Sequence, residues 1–561
     1  MGSKYTKHIL FVVALLFIFR DLVGNMSTNL PDWRDYAFIT WITNQNINHI
    51  KTLDFANIFN TNAFFPHTNT LFLSETFFTL SLVGLPISLF VKDPIILFNL
   101  LFLLTFVLNY VSSFLFWKKI TKSEGVAFIG SVATVFSPYF YAQFGHFQMI
   151  TYWPLMFSLY FLVESKRNKK KLFLVGLFLA IQFLASVYLT YFLCVAILLY
   201  LFFDFLKNRN IKSVLVSFFI IFSLFLTLDG VFIKGYMNTQ KYFGVKREYG
   251  EYVGYSAHLT DYLFPRQQSY LYNNTFFKKW NAYNKHNLGE VASFPGFVLT
   301  ITALLGIFGF KNSKNSIVVM FKKEVERYWF LSLATIGFLF SLGPRLNFNG
   351  VYSGIPTIYT LLLKIPFVEA IRGLERWSFL FYFGLTYFSL LYIKTIKRRS
   401  VLFIVLTILL LELMPFKTLT YAGSYITNND EVLRDICSIQ KTAILEIPVT
   451  HFDTTGSIAE GVSYITTREL ATLYNHCHLI NGYTGYDLPS IANTKNQIYE
   501  SIASKDSQGF YKTISESGAQ ILVLNRKNLL PETITTFNKF LLELVKTSQL
   551  KPLGKDVYKI N

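Results

Sequence analysis

LFLVGLFLAIQFLASVYLTYFLCVAILLYLFF, from Leu172 to Phe203, decides the fold class, because the run contains no charged residue. In water it would expose more apolar surface than a folded chain tolerates, and its natural solvent is a bilayer. It is too long for one crossing, and the polar cluster Ser186-Val187-Tyr188-Leu189-Thr190 sits midway along it. Two short spans joined by a tight turn fit best. Outward from this stretch the same composition recurs, as in Val401–Met414. Over the 561 residues, 52% are hydrophobic and only 15% charged, a charge content well below that of soluble domains.

The formal charge of +19 raises the question of nucleic acid, and the placing of the 52 Lys and Arg answers it. Basic residues cluster between the apolar runs, at Lys118, Lys119 and Lys122, at Lys166–Lys171, at Lys207–Lys212 and at Lys394–Arg399. These are loops flanking spans, so no nucleic-acid partner is expected. Apolar runs near 9–24, 94–117, 126–140, 148–164, 172–185, 191–206, 213–231, 292–310, 328–343, 377–393 and 401–415 predict about eleven spans. Alternate loops then fall on opposite sides. The six segments assigned to the cytoplasm (1–8, 118–125, 165–171, 205–212, 311–327, 394–399) hold 22 Lys and Arg in 54 residues. The five outer loops (25–69, 141–147, 186–190, 232–291, 344–376) hold 14 in 150. This asymmetry places the N-terminus in the cytoplasm and the chain in the plasma (inner) membrane as a multi-pass protein.

Thr70–Val91 is apolar but interrupted by Ser74-Glu75, Gly84 and Pro86, and is expected as an interfacial helix rather than a crossing. The first run, Ile9–Phe19, lacks a small-residue cleavage site and reads as a retained span. After Pro415 the character changes. Strand-like AILEIPV (443–449), AQILVLN (519–525) and DVYKI (556–560) alternate with helical patterns near 489–505 and 533–547. The expected organisation is a transmembrane domain over 1–415, with a first outer loop at 25–69, and a small extracytoplasmic α/β domain over 416–561. No internal repeat is evident. Cys194, Cys437 and Cys477 match no metal-ligand spacing; Cys437 and Cys477, if outside, share an oxidising compartment and could pair.

Ionisable groups near lipid are costly unless used or paired, so the outer loops hold the informative residues. In NMSTNLPDWRDYAFITWITN (25–44), Pro31 can open a helix whose first turn projects Asp32 and Asp35 from one face. Such carboxylates can deprotonate an acceptor hydroxyl, hold a divalent cation, or complement a helix N-terminus. Asp35, one turn in, has more need of a functional cause than Asp32. In PYFYAQFGHFQ (138–148), His146 stands among aromatics at the mouth of a span. In IPTIYTLLLKIPFVEAIRGLERWS (355–378), Arg372 and Arg376 lie four apart. On one helical face they make a forked anion site suited to phosphate, the plainer alternatives being headgroup contact or pairing with Glu369 and Glu375. Glu290, before the eighth span, is a further candidate acid. No P-loop, nucleotide fingerprint, Ser-x-x-Lys or His-Glu-x-x-His pattern occurs.

In LPDWRDYAFITWI (30–42), NIFNTNAFFPHTNTLFLSE (57–75), SPYFYAQFGHFQMITYWPL (137–155), LFSLGPRLNFNG (339–350), IPFVEAIRGLERWSF (365–379) and NGYTGY (481–486), the chain resembles the C-type (GT-C) integral-membrane glycosyltransferases, specifically a broad bacterial group among them. That group's Asp-x-x-Asp pair falls on Asp32 and Asp35, and its Ser-Glu on Ser74-Glu75; Pro31 and Trp33-Arg34 depart from the group's usual flanking residues. The resemblance implies a GT-C-like fold and transfer of a sugar from a polyprenyl-phosphate carrier to a glycan, lipid or protein acceptor at the outer face. Asp35 and Asp32 would then be catalytic, and His146, Arg372, Arg376 and Glu290 would bind substrate. No organic cofactor is implied; a divalent cation is compatible. Two other classes fit the composition: a flippase or exporter of lipid-linked glycans, and a non-catalytic envelope assembly protein. Against the flippase stands an expected lack of ionisable residues deep inside the spans.

Overall fold

The computed structural model describes residues 2–265, 269–286, 293–308, 325–365, 368, 371–414, 420–486 and 488–561. The chain is mostly helical with a small sheet near its C-terminus. Each of the eleven apolar segments carries a helix, as a bilayer requires of backbone that must satisfy its own hydrogen bonds. Four stretches are long and apolar enough to cross a membrane by length and composition: Pro94–Thr121, Glu124–Ala142, Val187–Asn208 and Ile211–Phe243. The turn expected over 186–190 contracts to one residue. The helix Lys171–Ala185 ends at Ser186, whose side chain caps the next helix by accepting from Leu189 N. The segment 70–91 forms a short 3-10 turn, Thr70–Leu73, and a ten-residue helix, Phe78–Ile87, well short of a crossing.

Two compact units emerge. The first comprises Met1–Arg20, Phe102–Gly230 and Arg247–Thr418. Its core includes fully buried Phe116, Trp117, Trp329 and Phe330, with Phe330 stacked on Tyr387 at 4.1 Å between centroids. The helices Phe297–Phe308 and Ser378–Ile393 approach backbone to backbone: a Cβ on Gly306 would collide with the Phe388 carbonyl oxygen. Small residues of this kind are what lets apolar helices associate without a hydrophobic drive between them.

The second unit comprises Asp21–Leu101, Val231–Lys246 and Leu419–Asn561. The C-terminal residues expected as a body of their own thus share a unit with the first outer loop. Strands β1 (Asn29–Leu30) and β2 (Tyr421–Ala422) pair antiparallel, joining loop and C-terminal segment. The remaining strands are β3 (Ala443–Ile447), β4 (His478–Leu479), β5 (Ile521–Leu524), β6 (Leu550–Gly554) and β7 (Val557–Ile560). They form one sheet in the order β4-β3-β5-β7-β6, parallel at β3–β4 and β3–β5 and antiparallel beyond. The helix Ile458–Asn475, absent from the sequence reading, packs on Asp35–Lys51. Its Arg468 is buried against Asp430 and Glu446. Burial alone would raise the Asp430 carboxyl, but the Arg468 guanidinium holds it below the ordinary range. Cys437 and Cys477 form a disulfide.

Candidate functional site

In the first outer loop the two aspartates divide their roles. The helix opens at Asp35, with Arg34 as its N-cap residue; Pro31 does not start it. The reason lies in Asp32, whose Oδ1 accepts from Arg34 N at 2.9 Å and from Tyr36 N at 3.3 Å, while Oδ2 pairs with Arg34 at 3.3 Å. Asp32 therefore satisfies the orphan amides of the first turn, and it precedes the helix instead of sharing a helical face with Asp35. It is buried, and desolvation, followed by the Asp35 charge, raises its pKa, with Arg34 and the two amides opposing. Asp35 is half-buried at the first helical position.

Residues from the C-terminal segment hold this helix within the unit. Trp33 Nε1 donates to Tyr421 O at 2.9 Å, Thr466 Oγ1 to Trp33 O at 3.1 Å, and Trp41 Nε1 to Thr472 Oγ1 at 3.1 Å. Between the last two anchors, on the same helix, stands Glu469, wholly buried. Its Oε1 accepts from Tyr483 N at 2.7 Å, and among the described residues its Oε2 has no hydrogen-bond partner. Desolvation pushes its carboxyl well above the usual range, the Tyr483 amide only partly opposing. Tyr483 belongs to the 481–486 motif and meets Phe38 edge-on at 5.7 Å. The next residue, Thr484, donates to Leu73 O at 2.6 Å, and Tyr236 donates to Ser74 O at 3.0 Å. The motifs at 30–42, 57–75 and 481–486 are thus drawn together. Sequence reading missed Glu469 and Tyr236; a lone acid in the run GVSYITTRELATLY (461–474) was the available signal for Glu469.

The first unit carries the basic candidates. Arg372 and Arg376 do not share a helical face, because Arg376 lies in the 3-10 segment Leu374–Trp377 while Arg372 precedes it outside any helix. Both instead engage aromatic rings. The Arg376 guanidinium lies 4.7 Å from the Tyr188 ring centroid and, with Arg376 almost fully buried, 3.6 Å from Glu375. Arg372 lies 4.8 Å from the Tyr255 centroid and 3.7 Å from Glu251, a carboxylate it shares with Arg247 at 3.2 Å. Tyr188 Oη accepts from Arg372 N at 3.2 Å, so one tyrosine from the expected turn organises both arginines. His146 is half-exposed between the short helices Pro138–Ala142 and Phe147–Ile150. Glu290 and Glu369 lie outside the described residues. Among the described residues no group of three or more His, Cys, Asp or Glu side chains is arranged to hold a metal ion.

Two acids stand close to the ends of predicted spans, Asp229 in 213–231 and Glu412 in 401–415, neither of them deep inside one. Asp229, in Ile211–Phe243, is fully buried, and among the described residues neither of its oxygens has a hydrogen-bond partner. Glu412, in Arg399–Leu413, is also buried, but its carboxylate accepts from Tyr272 Oη at 2.5 Å, Phe297 N at 2.7 Å and Val298 N at 3.2 Å. It caps the helix Phe297–Phe308 from a different helix.

The fold is similar to that of the arabinofuranosyltransferase AftD from Mycobacteria, with a TM-score of 0.56 and 14% identity, over 94% of this chain and 37% of that one. The chain thus spans well under half the length of that protein. The Archaeoglobus fulgidus oligosaccharyltransferase matches at a TM-score of 0.44 and 12% identity, over 93% of this chain and 69% of that one. No curated protein matches the sequence. The profile of the family described as "Domain of unknown function (DUF6311)" matches residues 51–414, and the chain belongs to that family.

Proposed function

We propose that this protein is a membrane glycosyltransferase that moves a sugar from a polyprenyl-phosphate carrier to an acceptor at the outer face of the membrane. The observation that carries the reading is the placing of Asp35, half-exposed at the first position of the helix Asp35–Lys51 in the first outer loop, beside a buried Asp32 that bonds backbone amides and Arg34. The GT-C-like fold, shared with a protein named as an arabinofuranosyltransferase, supports it. In the reaction Asp35 accepts the proton of the acceptor hydroxyl, whose oxygen bonds to the anomeric carbon. The bond from that carbon to the carrier oxygen breaks, and the phosphate leaves with the electron pair. Arg372 and Arg376 are assigned to the departing phosphate, for which planar guanidinium groups are suited. His146 and Glu290 are assigned to substrate contact. The Cys437–Cys477 disulfide supports a C-terminal segment in an oxidising compartment outside the plasma membrane.

Incubating the purified chain with a radiolabelled polyprenyl-phosphate sugar and a cell-envelope acceptor fraction tests the proposal: labelled acceptor is expected, with release of polyprenyl phosphate. A second reading, translocation of lipid-linked glycans without transfer, gains from Asp229, since a buried carboxylate in a span marks transport pathways as readily as catalytic ones. Movement of intact labelled donor across a vesicle membrane, with no transfer, would put that reading ahead.

A further inference from the structure

Residues 344–365 of the first unit form a structured loop with two unlike sides. Arg345 bridges Pro356 and Phe348 bridges Val351 around an Asn349-Gly350 turn in which both residues have positive φ, 46° and 80°, the conformation that a two-residue hairpin favours. One side is pinned. Gly350 N donates to His258 Nδ1 at 3.0 Å, Asn349 N to Thr260 Oγ1 at 3.1 Å and Thr360 Oγ1 to Pro344 O at 2.7 Å, and Tyr359 is fully buried.

The other side is apolar and open. Phe348, Val351, Ile355, Ile358, Leu361 and Ile365 are each more than half exposed. Single exposed hydrophobic residues are ordinary; six on the outward side of a loop whose inward side is hydrogen-bonded form a patch that water does not favour. The loop's only helix, Tyr359–Leu362, is four residues long, far below a crossing.

We propose that this apolar face is seated in the bilayer, at the boundary between acyl chains and headgroups, as an interfacial segment. Continuity identifies the occupant. The loop leaves directly from the apolar helix Val325–Ser341, which itself exposes Leu331 and Leu339, and leads back to the apolar helix Ser378–Ile393. Lys364, exposed among the apolar side chains, is placed to reach lipid phosphates, as interfacial lysines do. The pinned side keeps the hairpin's own polar backbone bonded, which an interfacial segment requires.

The test uses the full chain, with Cys194→Ala as background, reconstituted in phosphatidylcholine–phosphatidylglycerol vesicles. Single cysteines at Phe348, Ile358 and Leu361, with Lys539 of the C-terminal segment as control, carry an environment-sensitive fluorophore. Acyl-brominated lipid is expected to quench the three loop positions strongly and aqueous iodide to leave them nearly unchanged, with the reverse at Lys539. Iodide quenching at Ile358 and Leu361 equal to that at Lys539 would overturn the proposal. So would efficient cross-linking of Leu361→Cys between two copies, which would make the face a protein interface.

Discussion

Asp35 and Asp32 carry the sharpest prediction at the scale of the residue. Asp35→Asn keeps shape and hydrogen bonding but removes proton acceptance, and should lower sugar transfer by about a hundredfold or more. Asp32→Asn retains an acceptor for the amides of Arg34 and Tyr36, so a milder loss is expected. Turnover by purified variants at matched expression decides between them; near-normal rates in Asp35→Asn would remove that residue from catalysis. If chelator reproduces the losses and both variants fall equally, the pair shares a cation. Glu469 makes a second case, through pH. Its folded-state pKa is raised, so the folded protein keeps a proton that the unfolded chain releases once the pH passes the ordinary glutamate value. Stability therefore falls as pH rises from about 4.5 toward the raised pKa. Glu469→Gln is neutral throughout. It should flatten that decline and raise the melting temperature at pH 8 by about 2–4 °C, as read by thermal scans. An unchanged slope would show that the carboxylate is ionised in place.

At the scale of the element, Glu412 shows a span acid explained by structure alone. The N-terminus of Phe297–Phe308 presents amides with no intrahelical partner, and the Glu412 carboxylate takes those of Phe297 and Val298. Gly296, with φ +93°, brings the backbone against it. Glu412→Ala leaves those amides and Tyr272 Oη without an acceptor, and should cost about 1–3 kcal/mol per orphaned buried group. The expected reading is a lower melting temperature in detergent, with Glu412→Gln losing less; no change in Glu412→Ala would mean that water replaces the carboxylate. Asp229 offers a contrast, since it is equally buried without a hydrogen-bond partner for either oxygen among the described residues.

For the whole molecule the proposal stands on topology. Cysteine probes at Ser123, Asn168 and Ser313 are expected to be labelled only from the cytoplasm, and probes at Thr28 and Asn281 only from outside. Labelling at Asn168 from outside would mean that the segment 70–91 crosses the membrane. Its ten-residue helix, Phe78–Ile87, extends about 15 Å, roughly half a bilayer core, and weighs against that.

The membrane class, the helical segments, the charge asymmetry of the loops and most strands of the small sheet were determined by sequence alone. Each depends on run length, periodicity or residue type within a few neighbouring residues, and those are local quantities. The shortness of the helix within 70–91 was legible too, since Ser74-Glu75 interrupts the apolar run ahead of it. Tertiary structure decided what local pattern does not contain. It made Asp32 the capping acid and began the helix at Asp35, because the Asp32 carboxylate captures the amides of Arg34 and Tyr36 before the first turn. It separated Arg372 and Arg376 from a common face, because the helical turn there begins only at Leu374. It paired Cys437 with Cys477 across 40 residues and Glu412 with Phe297 across 115, and it enclosed Glu469 where Tyr483 reaches it. Burial and hydrogen bonding between distant segments are consequences of which elements meet, and that is settled by packing over the whole chain rather than by any stretch of it.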